Sequence, residues 1–167
     1  MIDNAKLVEI LASRRACEPA LKWLKKRNSD EMWEQCNRPD WLLWWAAPYV
    51  AHTELVLVAC QCARLALPHV AAGELRPLRA IETAEAWTRG ETTLEDVIIA
   101  ASAAADAASA AADAANAAAF AAYAVDAAYA VHSAFVVDAA ADASIKSQMC
   151  ELIREQWPTC PEPGVQG

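Results

Sequence analysis

The sequence predicts an all-α fold, a compact multi-helix bundle with a long alanine-rich C-terminal helical segment. Three observations carry it. Apolar residues recur at i, i+3 and i+4 along most of the chain, the period of a helix face. Alanine, the best helix former and a poor strand former, is the commonest residue. Only four Gly occur in 167 residues, too few for a fold of many tight β-turns. The length suits one domain with its own core, drawn at residues 1–158, with 159–167 as a flexible tail rich in Pro and Gly.

Asp3 is a natural N-cap for a first helix whose apolar side is Leu7, Ile10 and Leu11, with Arg14 and Arg15 at its C-terminal end. A short second helix starts near Pro19 and carries Leu21, Trp23 and Leu24 before the cationic run Lys25 to Arg27. Ser29 is the expected cap of a third, with Met32 and Trp33. Pro39 suits the first turn of a fourth, where Trp41, Trp44 and Trp45 fall on one face. Thr53 is the expected cap of a longer helix through Leu55 to Leu67, apolar nearly all round and therefore expected at the centre of the bundle. Pro77 opens the next helix, and Gly90 signals its end.

From Thr93 to Trp157 there is neither Gly nor Pro, and 26 of the 44 residues from Ala100 to Ala143 are Ala. Ser102, Asp106, Ser109, Asp113 and Asn116 are spaced as one polar stripe, which leaves smooth sides for close packing. The stripe then turns aromatic at Phe120 and Tyr123. One unbroken helix of this length would measure about 75 Å against a domain nearer 30 Å, so at least one break is expected, at Asn116 or at Val131–Ser133. Met149, Leu152, Ile153 and Trp157 mark an amphipathic last helix.

The net charge of −8 has a single source. Glu91, Glu95, Asp96, Asp106, Asp113, Asp126, Asp138 and Asp142 lie in a stretch without Lys or Arg, and the remaining bases and acids balance. Such a chain is poorly suited to neutralising phosphates, so direct nucleic-acid binding is not expected. Asp106, Asp113 and Asp126 interrupt the one apolar run long enough to span a bilayer. The charged N-terminus lacks a secretory pattern, which places the chain in the cytoplasm as an expectation. Six Cys are then reduced thiols acting as small hydrophobes. Cys60 and Cys62 point apart on a helix and cannot share a metal ion.

Neither catalytic residues nor cofactor or metal ligands emerge. Glu82 and Glu85 share a face with Arg79, but no nucleophile accompanies them; with Arg64 they form an expected structural polar cluster. Two surfaces remain as candidates for binding a partner. One is the acidic set Asp96, Asp106, Asp113, Asp126, Asp138 and Asp142, which would steer a protein with a basic surface. The other is the stripe Trp41, Trp44 and Trp45, read as core anchor or aromatic platform. Self-association stays open.

Several ordered phrases give the chain a family likeness: Asp40-Trp41-Leu42-Leu43-Trp44, Cys62-Ala63-Arg64-Leu65-Ala66, Arg79-Ala80-Ile81-Glu82-Thr83-Ala84-Glu85-Ala86-Trp87, the Ala tract, and Leu152-Ile153-Arg154 before Pro158. With Ala16-Cys17 and Trp23-Leu24, they make it resemble the alanine-rich immunity proteins associated with bacterial polymorphic toxins and also encoded by phages. The resemblance implies a non-enzymatic inhibitor that binds and neutralises a toxin, and it supplies no catalytic residues. The alternative is a phage-encoded inhibitor of a host defence complex. One departure is that the tract here lacks the scattered Arg of its relatives.

Overall fold

The computed structural model describes residues 1–110 and 143–162, with side chains up to Ala104 in the first stretch. The described residues form α-helices and no strands: α1 (Asn4–Ser13), α2 (Glu18–Leu24), α3 (Ser29–Gln35), α4 (Pro39–Ala46), α5 (His52–Ala66), a 3-10 turn (Leu67–His69), α6 (Arg76–Thr88), α7 (Leu94–Ala110) and α8 (Ala143–Gln156). The all-α prediction therefore holds. The expected breaks at Asn116 and at Val131–Ser133, and the stripe beyond α7, lie outside the described residues.

Local signals account for most helix ends. Asp3 accepts a hydrogen bond from the Lys6 N–H at 2.9 Å. Pro39 is the first residue of α4, and Pro77 stands in the first turn of α6. Two caps differ from expectation. Asn28, not Ser29, caps α3, because its side chain and Glu31 form a reciprocal capping box. Ser29 is fully buried instead, accepting from the Ile2 N–H at 2.7 Å and donating to Glu162 at 2.6 Å. α5 begins one residue before Thr53, capped only by the Ala51 backbone.

α5 packs against α4, α6 and α8, and α6 packs most extensively on α7. One contiguous core runs from Leu7 to Ile153 and includes Trp33, Trp45, Val56, Ile81 and Met149. α5 thus takes the central position expected of it, with Leu57, Gln61 and Arg64 forming one exposed line along it. Cys60 and Cys62 lie off that line and point to different neighbours, Cys60 toward the Ile81 carbonyl of α6 and Cys62 toward the Met149 carbonyl of α8.

The stretch expected to be a loose tail is docked as far as Glu162. The Trp45 N–H donates to the Pro161 carbonyl at 2.8 Å, and the Trp157 N–H donates to Glu54 at 3.0 Å. Among the described residues, no helix is long and apolar enough to cross a membrane.

Candidate functional site

The end of α1, together with α2, α3 and α4, encloses an apolar cleft of about 90 Å³. Leu11, Arg15 and Ala16 form one side, followed by Cys17, Ala20, Trp23 and Leu24 from α2 and its N-cap. Met32 and Cys36 close it from α3, and Trp41, Trp44 and Trp45 form the α4 wall. The space exists because Ala16 and Ala20 are small where they face large indoles. A drug-sized ligand takes roughly 300–1,000 Å³, so this cleft has room for a single side chain.

The structure separates the three predicted tryptophans. Trp45 is 1% exposed and belongs to the core. Trp41 and Trp44 are only half-buried and pack against the core from its edge. Trp23 joins them, edge-on to Trp41 with ring centroids 6.0 Å apart. Each partly exposed indole carries a guanidinium: Arg14 lies 4.1 Å from the Trp44 ring, Arg27 4.2 Å from Trp23, and Arg38 5.0 Å from Trp41. Such stacking is attractive, by about 0.5–2 kcal/mol according to desolvation.

Two of these cations, and Arg154 from α8, cap helix ends. Arg14 donates to the Trp44 carbonyl at 2.6 Å, Arg27 donates to the Trp23 carbonyl, and Arg154 donates to the Trp33 and Cys36 carbonyls. Unpaired carbonyls at the ends of α4, α2 and α3 thus meet positive charge. Burial pushes Arg14 below its ordinary pKa. Arg38 grips the buried Asp40 with two bonds, 2.9 and 2.7 Å long. Sequence reasoning missed Trp23 and these arginines as parts of the site. Their signal was the repeated nearness of Arg to Trp along the first 45 residues.

Arg15 is the further residue missed. Its φ of +59° puts it in the left-handed region. The Ala16 N–H bonds to the Leu11 carbonyl and the Arg15 N–H to the Ala12 carbonyl. α6 ends with the same pair of bonds, Glu91 to Ala86 and Gly90 to Trp87, and there the left-handed residue is Gly90. This motif favours Gly because a Cβ is strained in it. At α1 an arginine on the cleft wall occupies that position.

The acidic candidates are not brought together. Asp96 belongs to the N-terminal turn of α7, where its carboxylate accepts from Thr92 and from the backbone and hydroxyl of Thr93. Those bonds hold it below its usual pKa, the Thr93 hydroxyl contributing most. Asp106 is on α7 with its side chain outside the described set, while Asp113, Asp126, Asp138 and Asp142 lie outside the described residues. In the polar cluster, Arg64 bonds Glu85 with both arms, at 2.9 and 2.8 Å, which raises its pKa. Glu82 stands near as an exposed charge. Arg79 is turned away, toward a shallow groove shared with Thr92, Asp96 and Ile99.

A wider, more polar groove lies between the α4–α5 loop and residues 156–162. Its Glu54 already accepts from Gln156 and Trp157. Among the described residues, no group of three or more His, Cys, Asp or Glu is placed to hold a metal. Comparison with family models, curated proteins and solved structures returns no match to this chain.

Proposed function

We propose that this chain acts by binding another protein and blocking it, as an immunity-type inhibitor that neutralises a bacterial toxin. The observation carrying the reading is the tryptophan cleft. Half-buried Trp23, Trp41 and Trp44 with stacked arginines are the residue types that dominate binding energy at protein interfaces. A cleft of one-side-chain size gives such an interface its central pocket. The likeness of the ordered motifs to alanine-rich immunity proteins supports the inhibitory role. The buried polar residues of α3 and α4 serve structure: Asp40 holds Arg38, and Ser29 holds Ile2 and Glu162.

The test is a capture from the source cell run in parallel with the wild type and with Trp44→Ala. A captured protein is then purified and co-expressed with each. The expected result is a partner whose toxicity the wild type suppresses and whose affinity falls at least about tenfold with Trp44→Ala, as for a central anchor. A partner held equally by both proteins, or one that harms no cell, would remove the proposal.

A further inference from the structure

We infer that the cleft recognises an acidic segment of its partner, one that seats a single apolar side chain among the indoles with carboxylates on either side. This rests on the protein-binding reading and names the chemistry of the bound segment. Size sets the first half of the inference. About 90 Å³ accepts one side chain, and walls of Leu11, Trp23, Met32 and Trp44 reward an aliphatic or small aromatic one.

Charge sets the second half. From Arg14 to Arg27 there are six bases and a single acid, Glu18, in a protein whose net charge is −8. Glu18 is already paired with Lys22 at 2.7 Å. Arg14 and Arg27 are engaged with helix carbonyls. Arg15, Lys25 and Lys26 are exposed and form no ion pair among the described residues. Arg15 lines the cleft itself, and the two lysines directly follow Leu24, another lining residue. The α1–α2 side of the cleft is therefore basic, while α3 on the opposite side brings Asp30, Glu31 and Glu34; a carboxylate-bearing segment is attracted to the Arg15 side, and a basic one is repelled from it.

Arg15 supplies an independent argument. At the matching turn of α6 the left-handed position is taken by Gly90, whereas Arg15 holds it with a Cβ. A non-glycine residue in this left-handed position that also brings charge to the wall of a cleft is what a functional role for Arg15 requires.

The experiment selects from a displayed library of random peptides of about twelve residues, using the full chain as bait. Binding of the selected peptides is followed through tryptophan fluorescence and through protection of Cys17 from alkylation, since Cys17 lies on the cleft wall. The expected peptides are rich in Asp and Glu around one apolar residue. They should weaken about tenfold when that residue becomes alanine, and further as salt rises. Arg15→Gly should bind them about fivefold more weakly while melting no lower than the wild type, because glycine relieves the turn. Lys25→Glu with Lys26→Glu should weaken them again. Selected peptides that are basic or uncharged, yet still protect Cys17, would overturn the assigned chemistry and leave the protein-binding reading standing. Selection that yields no peptide, or peptides indifferent to Trp44→Ala and Arg15→Gly, would overturn both.

Discussion

In α2 to α4 the packing rests on indoles, Trp33 and Trp45 fully buried and Trp23, Trp41 and Trp44 half-buried, whereas the buried positions of α6 and α7, among the described residues, are Pro77, Ala80, Ile81, Ala84, Val97, Ala101 and Ala104. Large side chains bury much area each but tile imperfectly, and the gap left beside Ala16 and Ala20 is the cleft. Small side chains bury little each and gain by letting backbones approach over a long contact. α6 and α7 accordingly form the most extensive helix pair among the described residues. The aromatic half also carries the guanidiniums that finish its short helices. The alanine half uses other polar devices: the Schellman turn at Gly90, the Thr93–Asp96 cap, and the Arg64–Glu85, Arg76–Glu74 and Arg89–Glu91 pairs at its surface. Cavities suited to binding arise where packing is coarse, so the difference in side-chain size locates the candidate site.

The largest effect should come from the aromatic half. Trp45→Ala empties a fully buried site and removes the bond to the Pro161 carbonyl, and should cost about 3–5 kcal/mol. Trp44→Ala removes a half-buried ring at the edge of the core and should cost less, about 1–2 kcal/mol. Urea unfolding of both variants checks this. Equal losses would mean that Trp44 is core and that the cleft has no binding face.

In the alanine half the danger is added volume. Ala101 is 1% exposed in α7, and Ala101→Leu should overpack its contacts and cost about 1–3 kcal/mol. Its exposed neighbour Ser102 should accept leucine within about 0.5 kcal/mol. A stable Ala101→Leu protein would show that α7 has room to shift, and the contrast between the halves would fail.

Much of this contrast was legible in the sequence. The helices, the caps at Asp3 and Pro39, the end at Gly90, the partnership of Arg64 and the separation of Cys60 from Cys62 all follow from spacing and residue type. Ser29 and Thr53 were misplaced because a neighbour decided each end: Asn28 with Glu31 closes a capping box, and α5 starts one residue early without any side-chain cap. The cleft was hidden for a different reason. Whether a stripe of tryptophans is core or surface depends on the size of the residues that share its cleft, here Ala16 from the α1–α2 connection and Ala20 from α2. Likewise, nothing local to Arg15 announces a left-handed backbone, since the turn needs Gly only on average. The docked stretch Cys160–Glu162 was read as tail because Pro is common in tails, while its anchors, Trp45 and Ser29, are more than a hundred residues away.

An effect absent at neutral pH compares buried thiols in the two halves. Burial pushes Cys36, in the aromatic half, up to about 11, and Cys60, facing α6, up to about 12. Each thiol also feels charges of both signs: Asp40 raises Cys36 while Arg154 and Arg38 lower it, and Glu85 raises Cys60 while Arg64 lowers it. Both shifts favour the protonated thiol in the folded state. Their contribution is complete below the ordinary thiol pKa near 9 and is lost as pH rises, because the unfolded chain gives up protons that the native one keeps. The slope is about 1.4 kcal/mol per pH unit for each thiol. It runs from about 9 until the folded pKa is reached, sooner for Cys36 than for Cys60. Urea midpoints measured from pH 8 to pH 10.5 should therefore fall, and Cys60→Ala and Cys36→Ala should each flatten the fall by one thiol's share. If both variants kept the wild-type slope, the alkaline loss would belong to other groups.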